Sequence, residues 1–229
     1  SRRAPGNTCL SALHAIKYGN IANNSSKGCG GIMRVAPIGC ITNDPDIAIR
    51  KACHAARLTH KHPMGFLPAG ALARTIQIIM AKGGNIDKEG FERLLKTAVR
   101  SVWNLRDEQG RKAYVHDVDE LYDNTLKAIN LAKTSTEDEP AIKTLGEGWT
   151  GDEAWYIAVY CAMKHFDSIE NAIIAAVNHS GDSDATGAIC GNIMGALHGY
   201  NAIPEHFRQN LELHDVLLKM ADLLCEYNP

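Results

Sequence analysis

The stretch "TGDEAWYIAVYCAM", Thr150 to Met163, decides the fold class. Its apolar residues Ala154, Ile157, Ala158, Cys161 and Ala162 fall at i, i+3, i+4, i+7 and i+8. That spacing places them on one face of a 3.6-residue helix, whereas a strand would alternate with period two. Thr150 followed three residues later by Glu153 predicts a capping box at its start. The same period continues outward. Downstream, "DSIENAIIAAVNHSG" (167–181) reads as a helix capped by Asp167 and Glu170, with Ile169, Ala172, Ile173, Ala176 and Val177 inward and Gly181 as its stop. Upstream, Asp44 is an N-cap ahead of Pro45, and the run from Pro68 ends at Gly83-Gly84. Glu89–Trp103, Val118–Ala132 and Leu211–Cys225 are also amphipathic at helical spacing. The one strand-like run, "GGIMRVAPIG" (30–39), is broken by its glycines and Pro37. The polar stretch 132–148, with Pro140 at its centre, reads as a surface loop. The expectation is an all-α, multi-helix single domain over residues 1–229.

Bulk properties narrow the function classes. The 229 residues are 45% hydrophobic and 22% charged, enough for one sizeable core. A net charge of −2 gives no field to attract nucleic acid or an anionic membrane. No apolar run is expected to approach the roughly 20 residues that span a bilayer. No secretory signal pattern opens the chain. Seven cysteines are scattered without CxxC spacing, which points to reduced thiols and a cytoplasmic location, not to zinc or disulfides. The chain starts at Ser1-Arg2-Arg3 with no Met, and the native protein is expected to extend further toward its N-terminus.

The chemistry concentrates in "VNHSGDSDATGAICGN" (177–192). Asp182 and Asp184 stand one residue apart where a helix begins. Two carboxylates aimed into one pocket repel, so one protonates or both meet a cation. A hard ion such as Mg²⁺ takes oxygen ligands of this kind and keeps several waters. Asp184 as an N-cap and Asp182 as a turn residue is the plainer alternative. Ser183 and Thr186 add hydroxyls, and Thr186 is a candidate third ligand. Gly187, Gly191 and Gly195 share a helix face, which predicts close approach by another backbone or a ligand.

A second candidate is "NNSSKGCGG" (Asn23–Gly31). Small residues can leave backbone N–H groups exposed as a concave anion site; the alternative is an ordinary turn. Ser25, Ser26, Lys27, Gly28, Gly30 and Gly31 are its candidate contacts, and Cys29 is a possible reactive thiol. His60 and His62 precede Pro63 and fit either a ligand or a capping role. Trp149 is a candidate pocket wall, while Trp155 and Tyr156 read as core or capping aromatics. His214-Asp215 raises a rival class, the all-α His-Asp metal phosphohydrolases. Its helix, however, is expected to bury Leu213, Val216, Leu217 and Met220 and leave the His-Asp pair in solvent.

Five blocks, in order, carry a family resemblance: "RAPGNTCLSAL" (3–13), "NNSSKGCGGIMRVAPIG" (23–39), "LTHKHP" (58–63), "LGEGWTGDEAWYIAVYCA" (145–162) and "AVNHSGDSDATGAICGNIMGALHG" (176–199) followed by "AIP" (202–204). Together they resemble the ADP-ribosylglycohydrolase family, which includes dinitrogenase reductase-activating glycohydrolase. The resemblance implies an all-α fold around a two-Mg²⁺ cleft, with Asp182 and Asp184 as catalytic metal ligands. It implies glycosidic cleavage between ADP-ribose and a protein side chain or small-molecule acceptor. The glycine-rich loop would grip the diphosphate, and His60 and Trp149 would lie near the ADP-ribose. Two departures stand out. Ala185 occupies a position where the family usually has Ser or Thr, and no Thr-Asp-Asp cluster is found. Asp117 and Asp119 in "HDVDE" read instead as the acidic first turn of a helix. The departures predict weak or no hydrolysis by this chain, and leave open a silent relative that binds ADP-ribose or serves structurally.

Overall fold

The computed structural model describes residues 4–106 and 109–227; Ser1 to Arg3 lie outside the described residues. Among the described residues there are twelve α-helices and no strand, as the helical period predicts. They are α1 (Asn7–Lys17), α2 (Ala36–Cys40), α3 (Pro45–Arg57), α4 (Pro63–Ala81), α5 (Lys88–Ser101), α6 (Val115–Leu131), α7 (Asp138–Lys143), α8 (Gly151–Lys164), α9 (Ile169–Val177), α10 (Ser183–His198), α11 (Glu205–Arg208) and α12 (His214–Tyr227).

Helix α4 is the hub, packing against α2, α3, α5, α8 and α10. It starts with Pro63 behind His62, whose side chain accepts the Met64 N–H. It is long and apolar enough to cross a membrane, contrary to the expectation that no such run exists, but 78% of its apolar window is buried in the protein. Its hydropathy is that of a core helix surrounded by others. Helix α8 is as deeply set. Trp155 and Tyr160 are fully buried, and the Trp155 indole N–H donates to Thr125 Oγ1 on α6 at 2.9 Å.

The broken strand-like run forms no strand, as expected: Cys29–Arg34 is a 3-10 turn and Ala36–Cys40 a helix. Several other local readings are corrected. The 132–148 stretch contains α7, which buries Ala141 and Ile142. Ser168, not Asp167, caps α9 by accepting the Asn171 N–H, and Val177 and Ile174 face solvent. Thr150 does precede α8 but makes no side-chain cap bond. Glu153 instead accepts the N–H groups of Glu147 and Gly148. Asp44 caps α3 as expected, accepting from Asp46 and Ile47.

The largest discrepancy is α12. Leu213, Val216, Leu217 and Met220 are all at least 52% exposed. An amphipathic period shows that a face can be buried, not that a neighbour covers it. His214 is also less solvated than expected, because its Nε2 lies 2.7 Å from the Tyr200 hydroxyl. Gly191 and Gly195 do not meet a second backbone; a Cβ at either finds open space, and only Gly187 is crowded, by Val177.

Candidate active site

Three segments distant in sequence meet at one place. The first is the glycine-rich loop, the second the turn before α8, and the third the acidic turn that opens α10. Backbone bonds weld them together. The Cys29 N–H donates to the Trp149 carbonyl at 3.2 Å, and the Gly151 N–H donates to the Lys27 carbonyl at 2.7 Å. Gly28 and Thr150 pair as an isolated antiparallel bridge. On the other side, the Asp182 N–H donates to the Glu147 carbonyl at 2.7 Å. The turn 146–150 is therefore a clamp holding the loop with one edge and the aspartates with the other. Gly146 and Gly148 have φ of +123° and +82°, a region that costs other residues a Cβ clash. Glu153 fixes the clamp from the first turn of α8.

At the junction the Cys29 thiol donates to Asp182 Oδ2 at 2.8 Å, across 153 residues of sequence. Burial, contact with the Asp184 carboxyl and its charge together push the Asp182 carboxyl up from 3.8 to about 6. Asp184 is exposed in the first turn of α10. Burial, followed by the hydrogen bond to Asp182 and its charge, pushes the Cys29 thiol up to about 12. The reactive-thiol reading of Cys29 is thereby corrected, because a protonated thiol is a poor nucleophile. Alkylation by iodoacetamide at pH 8 is expected to label solvent-exposed Cys225 well before Cys29, as followed by peptide mass mapping.

Thr186 is not placed as a metal ligand. It is fully buried, and its hydroxyl donates to the Ala176 carbonyl at 2.6 Å on α9, away from the carboxylates. It belongs to a small network that sequence reasoning missed. The Gly181 N–H donates to His179 Nδ1 at 3.1 Å, so the proton sits on Nε2, which meets Thr186 Oγ1 at 2.9 Å. Burial holds the His179 imidazole below its ordinary pKa, in the neutral form this arrangement requires. His179 thus braces the acidic turn from behind. Its position three residues before Asp182 in "NHSGD" was the available signal. Ala185 is also fully buried and offers no ligand.

Gly181 shows why the turn contains a glycine. An added Cβ would overlap the Glu147 carbonyl oxygen that accepts the Asp182 N–H. Gly181→Ala is expected to destabilise the chain by about 1–3 kcal/mol through overpacking. Urea denaturation measures the loss; an unchanged midpoint would show that the clamp yields freely.

His60 is brought to the loop but from beneath. It is 2% exposed, and its Nδ1 lies 2.8 Å from Thr59 Oγ1, which also accepts from Arg34. Burial and the nearby Arg34 lower its pKa. Hypothetical Cβ atoms on Gly28 and Gly30 would come within 3.2 Å of its ring. The expected ligand contact is therefore corrected to a support: the glycines let the loop settle onto the imidazole. Gly31 is buried against Gly65 and Ala56, so it too is a packing residue. The loop's N–H groups are also less available than expected. Ser26 donates to Asn24 Oδ1, Gly28 to Ser26 Oγ and Cys29 to Trp149. Ser25 and Lys27 are exposed, Ser26, Gly28 and Gly30 are half-buried, and the Trp149 side chain is 57% exposed beside them.

A family model described as ADP-ribosylglycohydrolase matches residues 1–228. The chain belongs to this family. Human ADP-ribosylhydrolase ARH3 is 28% identical over 205 residues, covering 82% of this chain and 54% of that protein. An uncharacterised protein of Archaeoglobus fulgidus is 30% identical over 205 residues, covering 88% and 59%. ADP-ribosylhydrolase ARH1 of Dictyostelium discoideum is 27% identical over 233 residues, covering 85% and 59%. This ADP-ribosylglycohydrolase chain thus spans somewhat over half the length of these relatives. A solved structure described as an ADP-ribosylglycohydrolase-related protein complex superposes with a TM-score of 0.71 at 24% identity, over 98% of this chain and 70% of that one. At that identity the match establishes the shared fold.

The donor set bears on the metal the family implies. Asp182 and Asp184 are two hard oxygen ligands whose mutual contact raises one pKa, a repulsion that a divalent ion would relieve. Their donor chemistry would suit one hard divalent ion. Among the described residues no group of three or more His, Cys, Asp or Glu side chains is arranged to hold a metal. The same finding leaves His214-Asp215 without partners for a phosphohydrolase site.

Proposed function

We propose that this chain carries the ADP-ribose-binding and part of the hydrolytic apparatus of an enzyme that cleaves the bond between ADP-ribose and an acceptor. The observation carrying the reading is the 2.8 Å contact between Cys29 and Asp182, because it brings the acidic turn and the glycine-rich loop together. The acceptor is a modified protein side chain or a small-molecule conjugate. Seven free cysteines support a reducing, cytoplasmic setting as part of the same proposal.

Asp182 and Asp184 would hold one Mg²⁺, which when bound supplies positive charge to grip the distal ribose hydroxyls and orient water. The chain's own residues do the rest. Exposed Ser25 and Lys27 meet the diphosphate, and the exposed face of Trp149 flanks the sugar. The clamp at 146–150 and His179 fix the distance between these groups, because catalysis by positioning is lost with displacements near 1 Å. Cleavage proceeds through an oxocarbenium-like state, which the nearby carboxylates stabilise electrostatically. With two carboxylates and buried Ala185, turnover by this chain alone is expected to be weak or absent while binding persists.

Calorimetry with ADP-ribose and chromatography of ADP-ribose released from arginine- or serine-modified peptides test the reading, each with and without Mg²⁺. Mg²⁺-strengthened binding with little release is the expected result. Absence of ADP-ribose binding in both conditions would overturn the site, and robust release would overturn the weak-turnover part.

A further inference from the structure

Helix α12 carries a cysteine that has a neighbour. Cys225 lies in its last turn and is exposed, whereas Cys40 is the last residue of α2 and half-buried. Both line one hollow of about 500 Å³, with Gly39 and Gln77 on the side of α2 and α4 and Ala221 and Leu224 on the side of α12. An adjoining hollow is again lined by Cys40 and Leu224. The two cysteines therefore stand on opposite sides of one gap, from opposite ends of the sequence. Burial first, and then the nearness of Cys225, pushes the Cys40 thiol up. An electrostatic contribution of that kind needs two groups close together.

The two helices differ in how they are held. Helix α2 is pressed onto α4, where a Cβ on Gly39 would overlap the Ala73 carbonyl oxygen. Helix α12 touches the other helices only sparsely and turns Val216, Leu217 and Met220 to solvent. A disulfide needs Cα atoms within about 7 Å of each other. With α2 fixed and α12 lightly seated, adjustment of α12 alone meets that demand. A second neighbouring pair, Cys161 on α8 and Cys190 on α10, differs in one respect. Both of these are fully buried, so a dissolved oxidant does not reach them.

We propose that Cys40 and Cys225 are a modification site, forming a reversible disulfide that fastens α12 to α2. A low-molecular-weight disulfide of the oxidised glutathione class supplies the oxidising equivalent. The Cys225 sulfur, the more accessible of the two, gives up its proton and attacks one glutathione sulfur. The S–S bond of the oxidant breaks, and one glutathione leaves as a thiolate that takes up the proton. Cys40 then gives up its proton and attacks the Cys225 sulfur of the mixed disulfide, and the second glutathione leaves with that proton. Two protein thiols are oxidised and one external disulfide is reduced to two thiols. In reducing surroundings the exchange runs backward and releases α12. The pair lies outside the acidic turn and the glycine-rich loop, so the inference is independent of the hydrolase reading.

Incubation of the full chain with oxidised glutathione at pH 8, followed by non-reducing peptide mass mapping, tests it. A Cys40–Cys225 cross-linked peptide that dithiothreitol removes is expected, with no Cys161–Cys190 link. The oxidised chain is expected to melt at least about 5 °C above the reduced one, because the link closes a long loop. Cys225→Ser is expected to lose both the cross-link and the shift. It changes an exposed side chain, so its reduced form should melt with the reduced parent. Glutathione retained on Cys225 with Cys40 still a thiol, links between chains in place of the internal one, or a melting temperature unmoved by the link would each overturn the proposal.

Discussion

Asp182→Asn is expected to abolish divalent-ion binding at the candidate site and lower any ADP-ribose release by more than about 100-fold. Removal of partners that merely orient metal ligands costs about 10–100-fold, and here a ligand itself is lost. The amide nearly preserves shape and still accepts the Cys29 thiol, so the loop junction is expected to survive. The same variant separates charge from architecture through pH. In the cation-free chain the Asp182 carboxyl is raised from 3.8 to about 6. A raised carboxyl pKa means the folded state prefers the protonated form. Its stabilising contribution is complete below the unfolded value and disappears as pH rises through about 6. Asparagine cannot ionise, so the stability difference between variant and parent should move in the variant's favour between pH 4 and pH 7. Paired urea melts without divalent ions measure this shift. Adding Mg²⁺ should stabilise the parent at pH 7 and leave the variant unchanged. An identical response of both proteins to pH and Mg²⁺ would remove Asp182 from any metal role.

The second large effect is structural. Trp155→Ala is expected to destabilise the fold by about 3–5 kcal/mol, the range for truncating a buried aromatic. Trp155 is fully buried, and its indole N–H donates to Thr125 Oγ1, which in turn donates to the Leu121 carbonyl. Truncation leaves a cavity between α6 and α8 and removes the buried donor that Thr125 Oγ1 accepts from. The consequence reaches the site because α8 begins two residues before Glu153, whose carboxylate sets the clamp. Trp155→Phe keeps most of the volume and loses only the hydrogen bond, so it should cost much less. Chemical denaturation of both variants, read by circular dichroism, distinguishes cavity from bond. A cost below about 1 kcal/mol for Trp155→Ala would contradict the packing.

Much of the site was legible because its chemistry is local. The Asp-x-Asp spacing of 182–184 puts two acids in one turn whatever surrounds them. The small residues of 25–31 likewise mark a close approach. What approaches was not legible. The glycines there accommodate His60 from below, and three loop N–H groups are used within the protein. Thr186 looked like a ligand by type and proximity, yet one residue around a helix turned its hydroxyl toward α9. Glu153 followed the capping-box pattern but found better donors in the turn before it.

By itself the sequence determined the secondary structure in outline, since hydrophobic period and capping chemistry act within a few residues. It also determined which acids and which small-residue loop are the candidates. Only the tertiary structure decided that these lie together, because the Cys29–Asp182 and Asp182–Glu147 bonds join segments with no periodic relation. It alone decided burial as well. The apolar stripes of α4 and α12 are both consistent with a core, yet α4 is enclosed by neighbouring helices and α12 shows its stripe to solvent. Burial belongs to the neighbours a face meets, and no stretch of chain encodes its neighbours locally.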